Sequence, residues 1–193
     1  MALLGLPFDV IPPDFDEMLA SQRSIEEEVM EFATGKATSV ARRYPEAIVI
    51  GSDTMISLDH EKLGKPRDLP DARAMLNKLA GRTHSIYTAV RIIDASGGPG
   101  LTALEKVTVK MRDFSDAKIQ DYLACDESLD KAGAYSIQGE GRQLIVSVDG
   151  DYLAAVGLPL KAIAEYLKQR AIDVPLSIDS LYAMKAFLNW QSF

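Results

Sequence analysis

The sequence is poor in cysteine and histidine. Among its 193 residues there is one cysteine, Cys125, and there are two histidines, His60 and His84. A single cysteine cannot form a disulfide within the chain, which excludes a disulfide scaffold and a cysteine-rich zinc site. The two histidines lack the short spacing of a zinc-binding pair. We therefore expect a protein of a reducing compartment whose core folds without cross-links.

Excess positive charge and long apolar runs are also missing. Lysines and arginines number 21 against 28 aspartates and glutamates, so that the formal net charge is −7. Nucleic acids and anionic membranes attract clustered positive charge, and we therefore expect neither as a partner. No apolar run approaches the ~18 residues that cross a bilayer. The first residues lack the basic region and the cleavage site of a secretory signal, and a cytoplasmic location is expected.

Several common signatures of nucleotide and hydrolase sites are absent. The chain has no Gly-x-x-x-x-Gly-Lys-Ser/Thr loop, no Gly-x-Gly-x-x-Gly loop and no Gly-x-Ser-x-Gly turn. P-loop, dinucleotide-binding and serine hydrolase sites are therefore disfavoured. The remaining candidates for catalytic or ligand-binding residues are acidic and basic side chains at the ends of structural elements.

Helical and extended patterns alternate along the chain. Hydrophobic residues make up 47% of it and charged residues 25%, which is typical of one soluble globular domain. Ser24 and Glu27 form a capping-box pattern that predicts a helix over 24–41. The apolar run at 47–54 predicts a buried strand whose carboxyl end delivers polar residues.

The remaining patterns complete an α/β arrangement. Segments 85–94 and 101–111 alternate in polarity and are expected to pair as a hairpin. Further helices are predicted over 71–79, over 115–125 with Ser115 as N-cap, and over 159–170, and a further strand is predicted over 144–148. Because strands and helices interleave, the predicted class is α/β with some antiparallel pairing.

The C-terminal segment, 171–193, is apolar and aromatic. Its large side chains recur at helical spacing: Leu181, Met184, Phe187, Leu188 and Trp190. Such a stripe predicts packing onto the domain or onto a second subunit.

Acidic residues offer two candidate positions for chemistry. Asp53 follows the apolar run, and at the end of such a strand a carboxylate can hold a divalent cation or orient a water molecule. It can equally cap the following turn. Asp16 and Glu17 form an acidic pair in a loop, for which a solvated surface pair is the simpler interpretation.

Basic residues offer three more candidates. Lys65 lies in Leu63-Gly-Lys-Pro66, expected to be a tight turn, where it could hold a phosphate. Lys36 lies between small neighbours on the first predicted helix. Arg82 could donate two parallel hydrogen bonds to a phosphate or a carboxylate. Each can also be an ordinary surface residue. His84 is more often structural than catalytic in such a context.

The segment 130–141 is the densest irregular stretch. Its glycines allow close approach of the backbone to a ligand, and the Gln138 amide offers both a donor and an acceptor to a base edge. Alone, this composition is a weak indication of a nucleotide site.

Seven blocks, taken in order, resemble the Maf family of nucleoside triphosphate pyrophosphatases. The resemblance extends from about Leu3 to about Tyr166. The blocks are Asp16-Glu17, Lys36-Ala37, Gly51-Ser-Asp-Thr54, Leu63-Gly-Lys-Pro66, Gly81-Arg-Thr-His84, Ala132-Gly-Ala-Tyr-Ser-Ile-Gln-Gly139 and Val156-Gly-Leu-Pro-Leu160. The fifth and sixth blocks are similar to the branch that acts on dTTP and UTP.

The resemblance implies a fold and an activity. The implied fold is a mixed central sheet flanked by helices, with two lobes around a cleft, as in inosine-triphosphate pyrophosphatases, over a domain spanning 1–170. The implied reaction cleaves a nucleoside triphosphate between its α- and β-phosphates, giving the monophosphate and pyrophosphate, with a divalent cation (Mg²⁺ or Mn²⁺). Family members remove non-standard or excess nucleotides and have been linked to septum formation. A homodimer is also implied.

The resemblance also implies roles for individual residues. Asp53 resembles the family's proton acceptor, and Glu17 and Asp53 its metal-binding acids. Lys36 and Lys65 resemble the lysines that face the triphosphate. The matching substrate-binding positions are Thr54, Gln138 and Arg82.

The sequence departs from the family pattern in two places. The family's Ser-x-Ser-Pro-Arg-Arg loop has no counterpart before Leu3, and Ala154 stands where the family has asparagine. These departures leave an alternative open, a catalytically impaired nucleotide-binding or cell-division-related regulatory protein of the same fold. A purine-specific inosine-triphosphate pyrophosphatase is a third interpretation, which the context of Gln138 does not favour.

Overall fold

A five-stranded antiparallel sheet forms the centre of the computed structural model, which describes residues 1–18, 23–95 and 97–183. The strand order is β2-β1-β3-β4-β5. The strands are β1 (Ile48–Leu58), β2 (Glu61–Leu63), β3 (Thr83–Asp94), β4 (Leu101–Met111) and β5 (Ile145–Asp149). The predicted α/β class, with a central sheet flanked by helices, is confirmed. A mixed sheet was expected, whereas all four strand pairings among the described residues are antiparallel.

The predicted hairpin is confirmed as β3 and β4. Ile92 pairs with Leu101 next to the turn, and Thr83 pairs with Lys110 at the far end. Alternation of inward and outward side chains along both segments accounts for the pairing.

β1 is longer than predicted. It continues through Leu58, because Ser57 still pairs with Ser85 of β3 and Ile56 pairs with Leu63 of β2. The prediction that Asp53 leaves the carboxyl end of a strand is therefore wrong, since Asp53 lies inside β1.

Six α-helices surround the sheet in the part of the chain that the structure describes. The capping box at Ser24 is confirmed, because the Ser24 hydroxyl accepts from the Glu27 amide at 3.2 Å and the Glu27 carboxylate accepts from the Ser24 amide at 3.0 Å. Ser115 is also confirmed as an N-cap. The helices are α1 (Ile25–Ala41), α2 (Leu69–Leu79), α3 (Asp116–Leu123), α4 (Tyr152–Val156), α5 (Leu160–Gln169) and α6 (Ile178–Ala183).

Each face of the sheet packs against different helices. α1 covers one face, where Phe32 and Ala33 pack against Met55 of β1. The larger core lies on the other face, where Ile56 joins a cluster that includes Leu76 of α2. Neighbouring residues of β1 thus point to opposite faces, as the pleat requires.

The C-terminal segment is described only in part. Ile178 and Leu181 of α6 are buried in the larger core. Met184, Phe187, Leu188 and Trp190 lie outside the described residues. No helix within the described ranges is long and apolar enough to span a bilayer.

Candidate active site

A cavity of about 440 Å³ lies beside the edge of β1. β2 pairs with β1 only at Ile56, Ser57 and Leu58, so the preceding part of that edge has no strand partner among the described residues. The cavity therefore reaches side chains on both faces of β1. Six of the seven sequence-predicted site residues line it: Glu17, Lys36, Asp53, Thr54, Lys65 and Gln138.

Three of these residues form a charged cluster on the α1 side of the sheet. The Lys36 Nζ lies 2.6 Å from Asp53 Oδ1 and 2.6 Å from Glu17 Oε1. The Asp53 side chain is 8% exposed and that of Glu17 is 41% exposed. One ammonium therefore lies between a buried and a solvent-facing carboxylate, and the cluster keeps one net negative charge when both are ionised.

The segment before α1 positions Glu17. Phe15 packs edge-on against Phe32 of α1, with ring centroids 5.7 Å apart. The amide of Asp14 donates to the Ser39 hydroxyl at 3.2 Å. These contacts hold the irregular segment along α1, on the same side of the sheet as Lys36.

Burial and charge act in opposite directions on the cluster. Burial raises the pKa of Asp53 above its ordinary value, although the Lys36 hydrogen bond and charge lower it. Burial also disfavours the Lys36 ammonium, but hydrogen bonds to Asp53 and Glu17 outweigh it and raise the pKa of Lys36. Asp53 is thus a better proton acceptor than an exposed carboxylate, and Lys36 stays charged.

Two loops bring further cations to the cavity. Lys65 lies on an exposed irregular segment after β2, and its charge lowers the pKa of Asp53. The amide of Gly133 donates to the carbonyl of Gly64 at 3.0 Å and so ties this segment to the 130–141 loop. That loop adds Lys131, which also lines the cavity. Sequence reasoning identified the loop but not this lysine.

Neutral side chains also line the cavity, among them Thr54, Gln138 and Val156. The hydroxyl of Thr54 lies 2.9 Å from that of Thr88, its cross-strand partner on β3. Thr88 was not a sequence candidate, because its position depends on the register of two strands that are distant in sequence.

Thr88 connects the cavity wall to α4. Its hydroxyl donates to the carbonyl oxygen of Ala154 at 2.8 Å, and Ala154 is buried. The amide of Gly157 donates to the same carbonyl at 2.8 Å. The backbone carbonyl of Ala154, the position of the family departure, thus accepts hydrogen bonds from Thr88 and Gly157 behind the cavity.

Arg82 is not brought to the cavity. Its guanidinium pairs with Asp59, and it also donates to the Lys78 carbonyl at 3.5 Å. The structure therefore places this predicted substrate-binding residue at a surface ion pair near the start of β3.

His84 lies beneath the cavity. Its Nε2 is 2.8 Å from the hydroxyl of Tyr135, which lines the cavity. Burial lowers the pKa of His84 to about 4, so that its imidazole is neutral near pH 7. His84 supports the cavity floor in its uncharged form.

The carboxylates fit a divalent cation only in part. No cluster of three His, Cys, Asp or Glu side chains within the described ranges is arranged to hold a metal ion. Glu17 and Asp53, however, converge on one point through Lys36. Mg²⁺ is commonly held by one or two carboxylates together with substrate phosphates. The residues present therefore fit a cation that a phosphorylated ligand helps to bind.

Comparison with known proteins gives a consistent result. A family model described as Maf-like protein matches residues 1–170. The chain is 43% identical over 166 residues to a dTTP/UTP pyrophosphatase of Symbiobacterium thermophilum, covering 86% of this chain and 84% of that protein. It is 37% identical over 169 residues to a dTTP/UTP pyrophosphatase of Bacillus cytotoxicus (88% and 87%) and 37% identical over 174 residues to one of Bacillus anthracis (90% of each).

Proposed function

Because the chain belongs to the Maf family, we propose that it hydrolyses dTTP and UTP to the monophosphate and pyrophosphate, as a housecleaning nucleotide pyrophosphatase. The observation that carries this proposal is the Glu17–Lys36–Asp53 cluster in a cavity that neutral hydrogen-bonding side chains also line. The relatives named dTTP/UTP pyrophosphatase support the substrate class.

Asp53 is the proposed proton acceptor. Its raised pKa lets it take a proton from a water molecule as the water oxygen bonds to phosphorus. The bridging P–O bond between the α- and β-phosphates breaks in the same displacement, and pyrophosphate leaves. Hydrolysis of one anhydride bond thus consumes one water molecule and needs no other reactant.

Lys36 and Lys65 are the proposed partners of the triphosphate. Both line the cavity, and positive charge there stabilises the negative charge that develops on the leaving pyrophosphate. Glu17 and Asp53 would hold Mg²⁺ or Mn²⁺, which supplies further positive charge to the phosphate oxygens.

Thr54 and Gln138 are the proposed contacts of the base, because they are uncharged hydrogen-bonding side chains that line the cavity. Arg82 stays a predicted substrate contact. To reach a ligand it would have to leave its ion pair with Asp59.

The test is release of pyrophosphate from dTTP, UTP, CTP, 7-methyl-GTP and ITP with Mg²⁺ or Mn²⁺. We expect turnover of dTTP and UTP, and a loss of at least about a hundredfold in Asp53→Asn with folding retained. An unchanged rate in Asp53→Asn would contradict the role of Asp53. Triphosphate binding by calorimetry without turnover of any nucleotide would instead favour the regulatory nucleotide-binding protein, which the alanine at position 154 suggests.

We also propose that the protein acts in the cytoplasm as a homodimer. The family resemblance and the apolar C-terminal segment support the dimer. Light scattering at micromolar concentration should give twice the chain mass of 21.1 kDa. A monomer mass under these conditions would contradict the assembly.

A further inference from the structure

We propose that Thr88, a buried residue behind the cavity wall, makes the Thr54 hydroxyl act only as a hydrogen-bond acceptor in the cavity. Thr54 therefore selects a base that presents a hydrogen-bond donor to it. This inference rests on the proposed function, since it concerns how that site distinguishes pyrimidine bases. Thr88 is 1% exposed and is not among the residues that line the cavity. It would act through Thr54 and is therefore a positioning residue.

The direction of the Thr88 hydrogen bond follows from its acceptor. The Thr88 Oγ1 lies 2.8 Å from the carbonyl oxygen of Ala154. A carbonyl oxygen cannot donate, and two oxygens at this separation repel unless a proton lies between them. The single hydroxyl proton of Thr88 is therefore directed to Ala154. Because Thr88 is buried, solvent does not compete for this bond.

The direction of the second hydrogen bond follows from the first. Thr54 Oγ1 lies 2.9 Å from Thr88 Oγ1, and the Thr88 proton already points to Ala154. Thr54 must therefore donate its own proton to Thr88. Only the lone pairs of the Thr54 hydroxyl are then available to a ligand, and Thr54 acts in the cavity only as a hydrogen-bond acceptor.

The strand register holds this arrangement in place. Thr54 and Thr88 are directly opposite each other on β1 and β3. Both side chains are β-branched, which restricts rotation about χ1 and keeps the hydroxyls facing each other. The pairing of β1 with β3 thus fixes the positions of the two hydroxyls, through which Thr54 donates to Thr88 and Thr88 donates to Ala154.

The proposal places N3 of the pyrimidine, rather than its C4 substituent, against Thr54, where an acceptor discriminates between the bases. Uracil and thymine carry an N3–H, which can donate to Thr54, whereas cytosine carries an unprotonated N3, which can only accept. A base that presents an acceptor to another acceptor leaves both unpaired, which is costly in a partly desolvated site. The geometry therefore favours dTTP and UTP over CTP.

The experiment compares kcat/KM for UTP and CTP in the wild type, Thr88→Val and Thr88→Ser. Valine keeps the shape of threonine without its hydroxyl, which frees the Thr54 proton to point into the cavity. We expect the UTP-to-CTP ratio to fall about tenfold or more in Thr88→Val and to be kept in Thr88→Ser. A general loss of packing would lower both rates together and leave the ratio unchanged.

Two further variants make the test decisive. Thr83→Val removes a hydroxyl from the same strand at an exposed position and should leave the ratio unaltered. Thr54→Val should lower the ratio as Thr88→Val does, and the double variant should add nothing, because both changes remove one interaction. If Thr88→Val fails to fold, Thr54→Val and Thr88→Ser still test the hydrogen bonds from Thr54 to Thr88 and from Thr88 to Ala154.

The outcomes separate this inference from the proposed function. Absence of UTP turnover in the wild type would contradict the proposed function itself. Three results would overturn the role of Thr88 alone, provided that the wild type turns over UTP. They are an unchanged UTP-to-CTP ratio in folded Thr88→Val, a fall of that ratio in Thr88→Ser, and a wild type that does not prefer UTP to CTP.

Discussion

Two consecutive residues of β1 line one cavity from opposite faces of the strand. Asp53 faces α1 and joins the charged cluster, whereas Thr54 faces α4 and hydrogen-bonds to Thr88. In the middle of a fully paired strand these side chains would be separated by the sheet. Here both line one cavity because β2 is short and leaves this part of the edge open.

Gly51 is a residue of β1 at which α1 approaches closely. A Cβ atom at this position would lie 2.7 Å from both the carbonyl oxygen of Ala33 and the amide nitrogen of Ala37. Since these are backbone atoms, Gly51→Ala must move α1, and we expect the free energy of unfolding to fall by about 1–3 kcal/mol. Denaturant unfolding followed by circular dichroism measures this change.

Gly64 provides the matched control for that substitution. No atom lies within 4 Å of a Cβ built there. Gly64→Ala should therefore change the free energy of unfolding by less than about 0.5 kcal/mol. Equal effects of the two substitutions would show that contact between α1 and β1 is not what requires glycine at position 51.

At the scale of elements, a buried ion pair joins α1 to β2. The Glu28 carboxylate, 0% exposed, lies 2.6 Å from the Lys62 ammonium. Lys62 also donates to the carbonyl of Arg23 at 2.8 Å, just before α1 begins. The short strand is thus held to the helix that supplies Lys36.

Removing the cation of this pair should destabilise the protein strongly. Lys62→Met takes away the ammonium beside a buried carboxylate, and we expect a loss of about 3–5 kcal/mol in the free energy of unfolding. Lys78→Met, which breaks the exposed pair with Glu61, should cost less than about 1 kcal/mol. Adding Glu28→Gln to Lys62→Met should recover part of the loss, and no recovery would argue against an electrostatic origin.

The elements also show what could be predicted from the sequence. The capping box at Ser24 and the β3–β4 hairpin were predicted correctly, because local patterns specify them. The motif resemblance to the Maf family is confirmed by the family match. The continuation of β1 past Asp53 was missed, since it depends on pairing with β2 and β3 rather than on the apolar run alone.

The candidate site was predictable in part. Ordered family motifs identified six residues that the fold brings to one cavity, and the roles of these residues stay predictions. The partners of these residues could not be predicted. Thr88 meets Thr54 through strand register, and Asp59 pairs with Arg82 through the fold, and neither relation has a local sequence pattern.

At the scale of the whole molecule, His84 links stability to pH. Its side chain is 3% exposed, and burial lowers its pKa to about 4, below the value of about 6.5 for an unfolded chain. The unfolded chain therefore binds more protons between these two values, and the free energy of unfolding should rise with pH across this window. The full contribution is roughly 3 kcal/mol, present near pH 7 and lost by pH 4.

Denaturant unfolding at pH 4.5 and pH 7 tests this dependence. His84→Phe should reduce the difference in unfolding free energy between the two pH values, because phenylalanine does not titrate. His60→Asn, at an exposed position with positive φ that asparagine tolerates, should keep the difference. A pH dependence that is equal in the wild type and in His84→Phe would assign it to other groups.

The pairing of β1 with β3 has a kinetic consequence. The β3–β4 hairpin closes a short loop, whereas pairing of β1 with β3 closes the longer segment between Ser57 and Ser85, which contains β2 and α2. Long-range pairing forms slowly, because the entropy of closing a large loop must be overcome before its contacts stabilise the chain. Since that pairing brings Thr54 to Thr88 and fixes Asp53 within the sheet, a refolding chain gains hairpin structure before it gains a nucleotide site. Recovery of catalysis should therefore report the completion of folding, and partly folded chains should accumulate secondary structure without turning over substrate.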